Sequence, residues 1–109
     1  MFIYHFINGG VNKINIRLSK EGCSIVINHQ NQKYGTVSDV MAEIRRFLED
    51  NASYLTSGKT IQINIDVYDK EGNTSQMSMD RSNIVCHLRR LASSYKCQFD
   101  IRSGIDIIS

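Results

Sequence analysis

The chain repeats itself: the segment that starts at Thr36 aligns, at a constant offset, with the segment that starts at Asp80. The matching stretches are Ser38-Asp39-Val40 with Ser82-Asn83-Ile84, and Ile44-Arg45-Arg46-Phe47-Leu48 with Leu88-Arg89-Arg90-Leu91-Ala92. Each copy opens with a capping side chain, and apolar residues then recur at helical spacing. The repeat therefore predicts two amphipathic helices, each with one buried stripe.

A hairpin is predicted upstream of each helix. Polar and apolar residues alternate along Ile14–Leu18 and along Ile61–Val67, and each run is followed by a turn that contains glycine. Such alternation is typical of a half-buried strand. The returning strands would be Ser24–Asn28 and Gln76–Met79. Each copy is thus predicted to be strand-strand-helix, and the two units span approximately 12–50 and 59–95.

Further strands are predicted outside the repeat. They are Phe2–Ile7, joined to the next strand by the turn Asn8-Gly9-Gly10, then Cys97–Ile101 and Ile105–Ile108. We expect an α+β fold, a two-layer sandwich in which two helices cover one face of a mostly antiparallel sheet of six or seven strands. From the third strand onward, the predicted order also matches a ferredoxin-like core, and the sequence leaves the strand order open.

Length and composition predict a single domain over residues 1–109. The chain has 109 residues, of which 41% are hydrophobic and 22% charged, values that are typical of one globular core. Its three cysteines are an odd number at irregular spacing, which favours reduced thiols over a secreted disulfide framework. With no leader and no apolar run long enough to cross a bilayer, we expect a cytoplasmic protein without a membrane role.

Motifs for catalysis or cofactor binding are not found in the sequence. The histidines and cysteines lack the paired spacing of zinc ligands. The turn Asn8-Gly9-Gly10 joins two predicted strands, so it does not read as a phosphate-binding loop. No Gly-x-Ser-x-Gly elbow occurs. We therefore expect no metal, no cofactor and no enzymatic activity.

The face of the sheet that the helices leave open is the predicted contact surface. Strand alternation assigns to it hydrogen-bonding side chains and both signs of charge, beside an aromatic from the first strand. The candidate partner-binding residues are Tyr4, Asn15, Arg17, Asn64, Asp66, Tyr68, Gln98, Asp100 and Arg102, and alternation also places Lys13 and Asn28 on this face. An ordinary solvated face is the simpler interpretation of the same pattern.

Three functional hypotheses follow. The first is a non-enzymatic protein-binding domain, of the kind represented by bacterial immunity or antitoxin proteins that neutralise a toxin by covering its active site. The second is a nucleic-acid-binding domain that uses the arginine pairs Arg45-Arg46 and Arg89-Arg90 together with Lys13, Arg17, Lys96 and Arg102. The third is a small enzyme or ligand-binding protein with His5, His29 or His87 as its acid-base group. Self-association through an edge strand, giving a homodimer, also stays open.

Overall fold

A computed structural model describes residues 12–19, 22–51, 60–69 and 75–107 of the chain. In these ranges the chain forms five strands and two helices. In chain order the elements are β1 (Asn12–Ser19), β2 (Gly22–Ile27), β3 (Lys33–Gly35), α1 (Val37–Asp50), β4 (Thr60–Asp69), α2 (Ser75–Tyr95) and β5 (Gln98–Ile107). The expected α+β class is confirmed.

The described strands form one mixed sheet in the order β3-β2-β1-β4-β5. β2 is antiparallel to its neighbours β1 and β3, whereas β4 is parallel to both β1 and β5. Parallel neighbours cannot be joined by a tight turn and need a long crossover, usually a helix. The chain supplies that crossover with α1 before β4 and with α2 before β5. The two helices therefore allow β1, β4 and β5 to be parallel.

A tight turn follows β2. Its central residues Asn28 and His29 have positive φ values of 51° and 59°, and a backbone hydrogen bond of 3.0 Å closes the turn, as in a type I′ turn. Asn28 also fastens the turn to β1. Its Oδ1 accepts a 2.8 Å hydrogen bond from the Lys13 backbone N–H, and its Nδ2 donates a 3.0 Å bond to Asn12 Oδ1.

A capping box starts α1, as the sequence predicts. Thr36 Oγ1 accepts a 3.2 Å hydrogen bond from the Asp39 N–H, and Asp39 Oδ2 accepts a 2.8 Å bond from the Thr36 N–H. These bonds satisfy amides that a helix start would otherwise leave without partners. Gly35 makes room for the carboxylate, because a Cβ at that position would lie 2.5 Å from Asp39 Oδ2.

The core lies between the helices and one face of the sheet. Alternate residues of β1, β2 and β4 are buried in it, and Ile44 of α1 and Leu88 of α2 have no solvent exposure. The largest fully buried side chains are Phe47, Ile14, Ile16, Leu18, Ile27, Ile44, Leu48, Ile61, Ile63, Ile65, Ile84 and Leu88. Burial of this apolar surface is the main term that favours the fold. Both predicted helical stripes therefore pack on the same side of the sheet.

The predicted strand Gln76–Met79 is wrong, because these residues belong to the first turns of α2. In a strand, Met77 and Met79 would lie on the same face. Instead Met77 is 3% exposed and Met79 is 59% exposed, and Met77 joins the same buried cluster as Ile84. The helical spacing of the apolar residues in α2 therefore decides the conformation of this segment, and the short polar-apolar alternation does not. The predicted helix start at Asp80 is wrong for the same reason.

Three finer features of the predicted topology are also wrong. In the described residues the second unit, 59–95, is strand-helix rather than strand-strand-helix, and β4 alone lies between α1 and α2. A ferredoxin-like core requires two strands at that place. The sheet is not mostly antiparallel either, since the β1–β4 and β4–β5 pairs are parallel. The alternation of polar and apolar residues in β4 indicates that one face of the strand is buried. It does not indicate whether the neighbouring strand is parallel or antiparallel.

The described residues form five strands, whereas six or seven were expected over the whole chain. The predicted strands Cys97–Ile101 and Ile105–Ile108 merge into β5, which pairs with β4 without interruption from Gln98 to Ile107. The short strand Lys33–Gly35 was not predicted. The predicted strand Phe2–Ile7 lies outside the described residues. In the described sheet, β1 has β2 on one side and β4 on the other.

Candidate functional site

Polar side chains cover the face of the sheet opposite the helices, which we call the open face. Along β1, β4 and β5 they occupy the positions that alternate with core residues. The open face carries Lys13, Asn15, Arg17, Gln62, Asn64, Asp66, Gln98, Asp100 and Arg102. Every predicted contact residue whose side chain is described lies on this face. Within the described ranges, both helices pack on the other face.

An amide network occupies the centre of the open face. Asn64 Nδ2 donates a 2.9 Å hydrogen bond to Asn15 Oδ1, directly across the β1–β4 pair. Gln62 Nε2 donates a 3.2 Å bond to Asn64 Oδ1, from two positions earlier on the same strand. All three residues are partly buried. Gln62 was missed as a candidate, although its place in the alternation of β4 puts it beside Asn64.

Charged residues of both signs flank the amide network. Arg17 lies opposite Asp66 in the β1–β4 register; Arg17 is exposed and Asp66 is partly buried. On β5, Asp100 Oδ2 accepts a 3.2 Å hydrogen bond from Arg102 Nε and forms an ion pair with Arg102 Nη2 at 3.1 Å. The Asp100 and Arg102 side chains are 45% and 65% exposed, so water screens this pair and its net contribution to stability is small.

Three predicted open-face residues need separate comment. Tyr4 lies outside the described residues. The backbone of Tyr68 continues β4 opposite Asp106, while its side chain is outside the described part. Asn28 does not lie on the open face: it is buried in the turn after β2, where it bonds the β1 backbone. Sequence alternation misplaced Asn28 because β2 ends one residue earlier, at Ile27.

The arginine pairs lie on the helix layer, away from the open face. Arg45, Arg46, Arg89 and Arg90 are all exposed. Arg46 Nη1 contacts Glu43 Oε1 at 3.1 Å, whereas Arg89 and Arg90 form no ion pair with the carboxylates of the described residues.

Neither described helix is long and apolar enough to span a membrane.

The cysteines divide into two buried thiols and one exposed thiol. Burial raises the pKa of Cys23 to about 11, and the negative charge of Asp80 adds to the shift. Burial also raises the pKa of Cys97. A raised pKa keeps a thiol protonated and unreactive. Cys86 is exposed on α2, as its position off the apolar stripe predicts.

The histidines do not converge on a described site. His29 is exposed in the turn after β2, and His87 is half-buried on α2 with a buried Nε2 that has no hydrogen-bond partner. His5 is outside the described residues. A search of the described ranges finds no group of three or more histidine, cysteine, aspartate or glutamate residues that could hold a metal ion. The histidine-based enzyme hypothesis thus gains no supporting cluster from this part of the chain.

The central strands of the sheet decide whether the open face could stack nucleic-acid bases. The sheet places β1 centrally, with β4 beside it. Where open-face side chains of β1 and β4 are described, all are non-aromatic. RNA-recognition sheets stack bases on aromatic residues of such strands, so these positions do not favour that mode.

We compared the chain with protein-family models, with curated proteins and with solved structures. None of them matches. The open face therefore has to be interpreted from its own geometry and chemistry, residue by residue.

Proposed function

We propose that this chain is a non-enzymatic protein-binding domain and that the open face contacts its partner. The observation that carries the proposal is the parallel arrangement of β1, β4 and β5. Parallel strands are usually covered on both faces, and their sequences are then apolar throughout. Here the helices of the described chain cover one face, and the other face carries polar side chains along β1, β4 and β5. A second protein would supply the missing cover.

The chemistry of the open face suits a protein surface. The hydrogen bonds among Asn15, Asn64 and Gln62 hold amide groups in fixed orientations, which reduces the entropy lost when a partner binds. Arg17 and Arg102 provide positive charge, and Asp66 and Asp100 provide negative charge on the same face. A mixed pattern of this kind gives specificity towards a complementary protein, whereas a polyanion would favour positive charge alone.

Within this proposal, the partner is a bacterial toxin, and the chain acts in the cytoplasm as an immunity or antitoxin protein. It would inhibit by covering the active site of the toxin. The carboxylates of Asp66 and Asp100 would pair with cationic groups in that cleft. Support comes from the mixed charge of the open face.

The binding proposal is tested by capture followed by mutation. The purified chain is immobilised, incubated with native lysate, and the proteins retained in stoichiometric amount are identified by mass spectrometry. The affinity of the purified partner is then measured by calorimetry for wild type, Arg17→Glu and Arg90→Glu. Arg17→Glu on the open face should weaken binding about tenfold or more, as expected for a charge at an interface. Arg90→Glu applies the same charge change to the helix layer and should leave the affinity unchanged.

Two results would reject the binding proposal: no stoichiometric partner, or equal losses of affinity in both variants. The inhibitor role has its own test. If the captured protein is an enzyme, its activity should fall to a plateau as the chain is added up to one equivalent. A partner that binds the open face but keeps full activity would reject the inhibitor role and leave the binding proposal standing.

Nucleic-acid binding is a second candidate, favoured by the exposed Arg89 and Arg90, which have no described carboxylate partner. Phosphate contacts release counterions, so affinity should fall steeply as salt is raised. Titration of a labelled single-stranded oligonucleotide at several salt concentrations tests this candidate. Arg90→Glu should then weaken binding and Arg17→Glu should have less effect, the reverse of the order expected for the protein partner. Undetectable binding at low ionic strength would reject it.

A further inference from the structure

The outer edge of β5 is long and regular. β5 is the last strand of the described sheet, and its ten residues pair with those of β4 from Thr60 to Asp69 without a bulge. Its other edge has no strand partner among the described residues. The opposite edge of the sheet is β3, which has three residues. β5 is therefore the edge that has the length to template a further strand.

β5 has few of the features that protect natural edge strands from pairing. Such strands are usually short, bulged, interrupted by proline, covered by another element or provided with charged side chains, especially lysine. The chain contains no proline, and β5 has no bulge in its register with β4. Its described charged residues, Asp100 and Arg102, have opposite signs and are both exposed. These charges would not repel every strand that approaches: they would select one register.

We propose that a second copy of this chain pairs with β5 in an antiparallel arrangement centred on Ile101. In this register the two-fold axis passes through Ile101, and Asp100 of each copy lies opposite Arg102 of the other. Directly opposed residues of antiparallel strands point to the same face, with their Cβ atoms about 5 Å apart. Two intermolecular ion pairs then form on the open face by symmetry.

Dimerisation through β5 joins two sheets into one and places two open faces side by side. Phe99 and Ile101 are partly buried and pack against the core on the helix side of β5. In the dimer Ile101 would meet its symmetry mate while Phe99 would lie opposite Ser103 of the other copy, and the apolar contact at Ile101 would add to the backbone hydrogen bonds. Asp100 and Arg102 also lie on the open face, but the test of the dimer measures association of the chain with itself, so its outcome is separate from that of the proposed function.

Charge reversal combined with mixing tests the proposal. The dimer dissociation constant is measured by analytical ultracentrifugation for wild type, Arg102→Asp and Asp100→Arg. Each single change places two like charges opposite each other at two positions across the axis. The dimer dissociation constant of each variant should therefore be at least about tenfold higher than that of wild type. An equimolar mixture of the two variants should restore a dimer that contains one copy of each, because the negative edge then meets the positive edge.

The mixture separates pairing between chains from local effects. Neither single variant can form the ion pair between residues 100 and 102 within one chain, so restored association in the mixture must come from contacts between chains. Arg89→Asp, which makes the same charge change on α2, is the matched control and should dimerise like wild type. A monomeric wild type at the highest measurable concentration, or a mixture that stays monomeric, would overturn the proposal.

The register is tested by cross-linking. Cys86→Ser removes the exposed thiol, and Ile101→Cys then places one new thiol on the two-fold axis. Opposed cysteines in an antiparallel pair lie within disulfide reach, since their Cα atoms are about 4.5–5.5 Å apart. Mild oxidation should give a covalent dimer of the double variant, while Cys86→Ser alone should stay uncross-linked. Failure of the double variant to cross-link, in a sample that sediments as a dimer, would overturn the register.

Discussion

Asn64 Nδ2 donates a 2.9 Å hydrogen bond to Asn15 Oδ1, although the two residues are separated by 49 positions in the sequence. They face each other across the parallel strands β1 and β4. The bond links the two ends of a crossover that contains β2, β3 and α1. It is thus a product of the tertiary structure, and it lies at the centre of the open face.

This bond should be measurable as a coupling energy. Asn15→Ala and Asn64→Ala are each expected to destabilise the fold by about 1 kcal/mol, and the double variant should show a coupling of about 0.5–1.5 kcal/mol. Urea unfolding of the four proteins checks this cycle. Asn15→Ala combined with Asp100→Ala is the control, because these residues share no hydrogen bond in the described structure. If the Asn15–Asn64 cycle is as additive as the control, the pair does not contribute to stability.

The turn after β2 should depend on both the side chain and the backbone of Asn28. Asn28→Ala leaves the Lys13 N–H without its acceptor and puts alanine at a φ of 51°. We expect a loss of about 2–4 kcal/mol in the free energy of unfolding. Asn28→Gly removes the same side chain but tolerates positive φ, so it should cost about 1 kcal/mol less. Equal losses, measured by urea unfolding, would show that the left-handed backbone contributes nothing.

The three cysteines should differ in reactivity. Cys86 is exposed, whereas Cys23 is buried with a pKa raised to about 11 and Cys97 is buried with a raised pKa. In a titration with a chromogenic disulfide at mildly alkaline pH, Cys86 should account for the fast phase, and the buried thiols should react when denaturant is added. Cys86→Ser should lose the fast phase. A fast phase that persists in this variant would mean that a buried thiol is accessible in the folded chain.

The capping box should make stability depend on acid. The hydrogen bonds from Thr36 lower the pKa of Asp39 below its ordinary value of 3.8. A lowered folded-state pKa means that the unfolded state binds the proton more tightly, so stability rises with pH in this range. The contribution is present above the ordinary value and is lost as the pH falls through the lowered folded-state pKa. Asp39→Asn should flatten that part of the profile of melting temperature against pH.

Thr36→Ala provides the companion to the pH experiment. It removes the acceptor of the Asp39 N–H and should cost about 1 kcal/mol at neutral pH, the usual effect of losing a cap. Ser38→Ala, a change on the exposed side of the first turn, is the control and should have a smaller effect. If Thr36→Ala and Ser38→Ala are equally mild, the capping box adds little to the stability of α1.

Local patterns correctly predicted the helices and strands whose formation depends mainly on their own residues. α1 follows from a capping side chain and an apolar stripe, and the structure has it at Val37–Asp50. β1 and β2 follow from alternation and a turn. The open-face positions follow from the same alternation, which is why Asn15, Asn64 and Asp100 could be chosen from the sequence.

Patterns of a few residues failed where a longer period or another strand decided the outcome. Gln76–Met79 alternates like a strand, but the stripe of α2 already requires Met77 at a helical position. The apparent duplication of a strand-strand-helix unit led to the prediction of a mostly antiparallel sheet. In the structure, the crossovers through α1 and α2 make β4 parallel to β1 and β5.

The spacing of apolar residues along the chain was enough to predict the buried side of β1, β4 and α1, because the helical and strand periods place those residues on one side of each element. The same local reasoning predicted the cap of α1, since Thr36 and Asp39 are close along the chain. Strand order and strand direction came from the tertiary structure alone, and so did the bond between Asn15 and Asn64 and the position of β5 at the outer edge of the described sheet. Those features depend on how distant segments pair, and the pairing energy of one strand is set by neighbours that its own residues do not specify.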